Sequence, residues 1–172
     1  MPKEPNKEPK KLDALFHDTL RDIYYAEKKV LLSLPRMAKA AHNRKLRAAF
    51  EGHRAKTEGR VGRLEQVFEL IGATPQGKKC VGVEGILDEG QEVMKDLQGS
   101  PALDAGLLAT AQAVQHYEIA RYGALRTWAE EMGLIRAAEL LQQSLDQEEA
   151  TDRALTALAG TVVNQKAQRQ AA

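Results

Sequence analysis

Residues 107–125 read Leu-Leu-Ala-Thr-Ala-Gln-Ala-Val-Gln-His-Tyr-Glu-Ile-Ala-Arg-Tyr-Gly-Ala-Leu. Leu107, Ala111, Val114, Tyr122 and Leu125 recur at helical spacing, and Glu118 stands where that apolar stripe should continue. A carboxylate facing a core is costly unless its charge or hydrogen-bonding need is met. The same interruption recurs three times. Glu27 breaks the line Leu12, Phe16, Leu20, Ile23, Val30, Leu34. His53 breaks Leu46, Phe50, Thr57, Val61, Leu64, Phe68, Ile71. Glu148 breaks Leu141, Leu145, Asp152, Leu155, Ala159. Four long helices are therefore expected, each carrying one ionisable residue inward. Three carboxylates and an imidazole converging from four helices are what a carboxylate-rich metal site requires.

The punctuation between these stripes sets the topology. Asp13 is a candidate N-cap for the first helix and Asn43 for the second. Pro35 should kink or break the first helix near its end. Gly72, with Pro75 beyond it, stops the second, and Gly133 ends the third and permits a tight reversal. Ser100-Pro101 suits the start of the third helix. Gly52, Gly59 and Gly62 within the second suggest close backbone approach. Residues 73–100 form a long connection carrying a short helical pattern from about Val83 to Leu97. Two helical hairpins joined by a long crossover make an all-α, ferritin-like four-helix bundle with a short extra helix. Residues 1–11, rich in proline and charge, are expected to be a flexible arm. Residues 12–163 are expected to form the bundle, and 164–172 a flexible polar tail.

Counting from the turns gives relative heights. Glu118 and Glu148 each lie 15 residues from Gly133, about 22 Å along their helices at ~1.5 Å per residue. They should face each other at one level. Glu27 lies 15 residues before His42, but His53 lies only 11 after it, an offset of about 6 Å. Thr57 is the better match to Glu27. Gln115, Thr57 and Asp152 are expected around the ligands rather than among them. His17, His42 and His116 fall off the stripes.

The 172 residues suffice for one domain with a real core. With 25 Lys+Arg against 24 Asp+Glu, whole-chain charge points to neither nucleic acid nor a membrane surface. The N-terminal arm sets four lysines against two glutamates, a small excess of positive charge, so nucleic acid is not an expected partner. A lone cysteine, Cys80, excludes an intrachain disulfide and cysteine-built metal sites. No apolar run is long enough to span a membrane, and no secretory signal is evident, so a cytoplasmic location is expected.

Four segments together resemble the YciE/YciF family of bacterial ferritin-like proteins. They are Asp22-Ile-Tyr-Tyr-Ala-Glu27-Lys-Lys, His53-x-x-x-Thr57, Gln115-His-Tyr-Glu118-Ile-Ala-x-Tyr122-Gly123 and Glu148-x-x-Thr151-Asp152-x-x-Leu155-Thr156. The similarity runs from about Leu12 to Lys166, and Lys79-Cys80-Val-Gly-Val-Glu-Gly85 resembles the family's connector. The resemblance implies a stress-associated ferritin-like bundle, a homo-oligomer and most simply a dimer. It also implies a metal site with Glu27, His53, Glu118 and Glu148 as ligands for iron, or alternatively manganese, as one or two ions. Two positions depart from the family pattern: Lys56 and Gln115 stand where glutamates are usual. They point to a weakened or single-metal site, or to a structural or interaction protein with a degenerate site and no catalysis.

Overall fold

A computed structural model describes residues 11–169. The helices are α1 (Leu12–Ala40), α2 (Arg44–Leu70), α3 (Val81–Asp96), α4 (Leu103–Glu131) and α5 (Ile135–Leu158). A single π-helical turn, Ala159–Val163, leads into α6 (Asn164–Arg169). Helices α1, α2, α5 and α4 pack in a ring in that order, and α3 lies against α4 and α1. This is the expected bundle of two hairpins with a helix-bearing crossover. No helix among the described residues is long and apolar enough to cross a membrane.

Local signals set most boundaries. The Asn43 side chain accepts hydrogen bonds from the backbone N–H of Lys45 at 2.8 Å and of Leu46 at 3.2 Å, capping α2. Gly72 and Gly133 adopt φ of 66° and 71°, the left-handed conformation that closes α2 and α4. Three details differ from expectation. The N-cap of α1 is Lys11, and Asp13 sits inside the first turn. The N-cap of α4 is Ala102, because Ser100 Oγ accepts from Ala102 N and holds a turn before the helix begins. Pro35 lies within α1 without ending it; its missing N–H removes one backbone hydrogen bond, and it stands exposed on the rim of the α1–α2 groove.

The C-terminal segment also runs on as helix to Arg169, with Val163 buried. Residues 1–10 of the N-terminal arm and the last three residues of the tail lie outside the described residues. A Cβ added at Gly52 or Gly62 would meet nothing within 4 Å, so these glycines serve no close contact within the chain. The close approach occurs instead between α3 and α4. There a Cβ at Gly90 would come 2.6 Å from Thr110 Cγ2.

One tie spans the bundle end. Asp104, at the start of α4, accepts from the backbone N–H groups of His42 and Asn43, both at 2.8 Å. It thereby joins the α1–α2 turn to the second hairpin. Asp104→Ala should lower stability by about 1–2 kcal/mol, read as a drop in Tm with the helical circular dichroism unchanged at low temperature.

Candidate metal centre

Each stripe interruption is buried. Glu27, His53, Glu118 and Glu148 all lie inside the bundle, with Thr57 and Gln115 beside them. One donor atom from each of His53, Glu118 and Glu148 falls within 4.8 Å of the others, a grouping that can hold a metal ion. Glu118 and Glu148 therefore meet at one level, as their equal distance from Gly133 requires.

Glu27 has other company. Its carboxylate accepts from Arg60 Nε at 2.7 Å, from Arg60 Nη2 at 3.3 Å and from the Tyr122 hydroxyl at 2.6 Å. Arg60 is fully buried, and its Nε also pairs with Glu148. Nη2 further donates to Thr57 Oγ1 at 2.8 Å and lies 3.1 Å from His53 Nε2. A guanidinium thus occupies the middle of the carboxylate cluster, and its attraction to Glu27 and Glu148 keeps it firmly protonated against the cost of burial. Arg60 bridges Glu27 to Thr57 and lies beside His53 as well.

The remaining electrostatics are unbalanced. Three buried carboxylates face one guanidinium, which leaves two negative charges in excess if all ionise. Both oxygens of Glu118 lack a hydrogen-bond partner among the described residues. Burial, then Glu27 and Glu148, raise the Glu118 carboxyl well above its ordinary range. Burial likewise raises Glu148 to about 8, against the opposing pull of Arg60. His53 is lowered to about 3 by burial, then by Arg60 and Lys56, so its ring is neutral. Its Nε2 faces two N–H donors, Arg60 Nη2 and Gln115 Nε2, the latter at 3.1 Å. That places the ring proton on Nδ1 and the Nε2 lone pair in the centre.

A family model described as a domain of unknown function, DUF892, matches residues 11–168. The chain belongs to the DUF892 family. YciF of Escherichia coli K12 is 42% identical to this DUF892 chain over 163 residues, covering 94% of the chain and 98% of YciF. The crystal structure of the E. coli stress protein YciF superposes with a TM-score of 0.86 at 41% identity, covering 91% of this chain and 99% of that one. YcfI from Rhodopseudomonas palustris matches with a TM-score of 0.84 at 37% identity, over 89% and 98% of the two chains. A Xanthomonas campestris protein shares only the fold, with a TM-score of 0.68 at 20% identity over 90% and 94%.

Within this DUF892 bundle the two departures have different consequences. Lys56 is exposed, its Nζ 3.4 Å from Thr151 Oγ1, so position 56 adds no ligand atom to the interior, although its charge is felt at His53. Gln115 is buried against His53 and replaces a charge by a neutral amide, whose Oε1 is left unpartnered. The cation in the core is Arg60, which the pattern reading passed over in favour of Val61. The spacing 53, 57, 60, 64 is as good a helical line as 53, 57, 61, 64. Asp152 is half-buried and pairs with His116 at 3.3 Å, while His42 and His116 are exposed. Cys80 is buried, with Sγ hydrogen-bonded to the Tyr117 hydroxyl at 2.9 Å.

Proposed function

We propose that this protein binds one divalent metal ion, iron by preference and manganese as the alternative, between His53, Glu118 and Glu148. Arg60 takes the place of a second cation, held by Glu27 and Glu148. The observation that carries the reading is the pair of unpartnered Glu118 oxygens inside a cluster whose carboxylates outnumber its cations. One dication beside Arg60 neutralises three carboxylates. Mixed carboxylate and imidazole donors suit iron or manganese. When bound, such an ion supplies Lewis acidity and, if iron, one-electron redox chemistry. The chain's own groups do the rest. In the metal-free bundle Gln115 and Arg60 hold the His53 ring through Nε2, a lone pair they would yield to the ion, while Tyr122 fixes Glu27 and the surrounding leucines exclude bulk water. The biological setting we take to be a stress response, since E. coli YciF is described as a stress protein.

A metal-free structural role is the second reading, in keeping with the structural role suggested for YcfI. The two N–H donors aimed at His53 Nε2 favour it, because they already engage that lone pair. In this reading protons on Glu118 and Glu148 remove the excess charge.

Calorimetric titration of chelator-treated protein with anaerobic Fe²⁺, and separately with Mn²⁺, distinguishes the two. The expected result is one ion per chain with proton release. Tm should rise by the amount that saturating ligand gives, about 2.7 kcal/mol of stability at a hundredfold excess over Kd. His53→Ala should abolish both signals. Absence of binding at micromolar metal, with Tm unchanged, would leave the structural reading standing.

A further inference from the structure

Two polar ties join α2 to α5 directly over the carboxylate cluster. Lys56 Nζ lies 3.4 Å from Thr151 Oγ1. Arg63 donates to Ser144 Oγ at 2.9 Å and to the side-chain oxygen of Gln147. The anchors are seven residues apart on each helix, 56 and 63 against 151 and 144, or ~10 Å along antiparallel axes. The ties therefore bracket a window of that length. Arg60 and Glu148 fall between them in the sequence and pair with each other at its floor.

The window has a thin cover. Gly59 is exposed and has no side chain, and a Cβ there would meet only Arg63 Nη1, at 3.8 Å. Lys56 is exposed, while Arg63 and Gln147 are half-buried. Both cations are held by hydroxyls and an amide, acceptors that carry no opposite charge to fix them. Long side chains on such ties change rotamer quickly without any movement of the helices. The α1–α4 side is closed differently. Around Glu27 and Glu118 those helices bury Ile23, Ala26, Val30, Ala111 and Val114, and α3 packs against both helices. The rival opening lies between α4 and α5, where half-buried Asp152 pairs with His116 at 3.3 Å. Leu145 and Leu155 are buried on α5 to either side of Asp152.

We infer that the window between α2 and α5 is the path by which a divalent cation reaches His53, Glu118 and Glu148. Lys56 and Arg63 form its movable cover. The inference takes its cargo from the metal-binding reading above. Swinging the two side chains outward breaks three hydrogen bonds. It also draws two positive charges off the path of the ion and uncovers Glu148, the first carboxylate the ion meets. A door of this kind changes entry and exit alike and leaves affinity alone, whereas a ligand changes affinity.

The test therefore times both directions. Uptake of Mn²⁺ by the full chain, and its release to excess chelator, are followed by stopped flow for the parent and three variants. Ser144→Ala with Gln147→Met and Thr151→Val removes all three acceptors without altering charge. It should speed uptake and release together by about tenfold, the rate equivalent of one hydrogen bond lost from the closed state. Kd should stay within about twofold of the parent value. Gly59→Leu adds cover where there is room for it and should slow both rates. Asp152→Asn should change neither. Circular dichroism checks that each variant folds. A second readout needs no metal: carbethoxylation of His53 by diethyl pyrocarbonate, located by peptide mass. It should be faster in the untied variant and slower in Gly59→Leu. Unaltered rates in both variants overturn the inference, as does a change in Kd that accounts for the altered uptake. Rates that respond to Asp152→Asn alone overturn it in favour of the α4–α5 side. Failure of Mn²⁺ to bind any form overturns the metal-binding reading, and His53 labelling then decides the window by itself.

Discussion

Arg60→Met is expected to destabilise the metal-free protein by about 3–5 kcal/mol, the cost of leaving a buried ion pair with one partner missing. The guanidinium holds Glu27 through two of its nitrogens, pairs with Glu148, and donates to Thr57. Methionine fills similar volume but compensates none of these groups. Chemical unfolding in the presence of a chelator measures the loss. Arg60→Met combined with Glu27→Gln should recover part of it, since the most tightly paired carboxylate is then neutral. Divalent metal provides the sharper readout. If Arg60 stands in for a second cation, the single variant should take up more metal than the parent chain and gain more Tm from it. Parental stability in Arg60→Met would mean that the carboxylates are neutralised by protons and that the arginine is incidental.

That residue also marks where sequence reasoning fell short. The four inward ionisable groups and the meeting of Glu118 with Glu148 followed from helical arithmetic. Equal spacing from a tight turn translates into equal height along straight helices. Arg60 escaped because a long cationic side chain on a stripe edge ordinarily reaches solvent. Only the acids contributed by three other helices make its burial tolerable, and periodicity within one helix carries no information about them. Lys56 is the mirror case. It stands where the family pattern has a glutamate, yet its side chain is exposed and meets Thr151 of α5. Helix starts were missed for a related reason. Asp13 and Ser100 have the right chemistry for caps, but the register is set by packing of Phe16 and Leu103 into the core, and a cap yields to that.

The excess negative charge at the centre has a consequence for pH. Between about pH 6.5 and 8 the metal-free protein should lose stability as pH rises. Folded Glu148 holds its proton to about 8, whereas the unfolded chain releases it near the ordinary carboxylate value of 4.5. The folded state therefore carries the extra proton across this window, and raising pH favours unfolding. The contribution is complete below the unfolded value and gone above the folded one. For Glu148 alone, the span from 6.5 to 8 corresponds to on the order of 2 kcal/mol, and Glu118, shifted in the same direction, adds to it. His53 acts oppositely but elsewhere. Its value of about 3 withdraws stability as pH falls below 6.5, so it does not offset the loss above that point. Thermal unfolding from pH 6.5 to 8.5 in chelator should give a falling Tm, and Glu148→Gln should flatten most of the slope. Bound metal replaces the protons, so the loaded protein should hold its Tm through pH 8. A flat profile in chelator would mean that the three carboxylates already coexist as anions around Arg60, and the bundle would then have no electrostatic need of a metal ion.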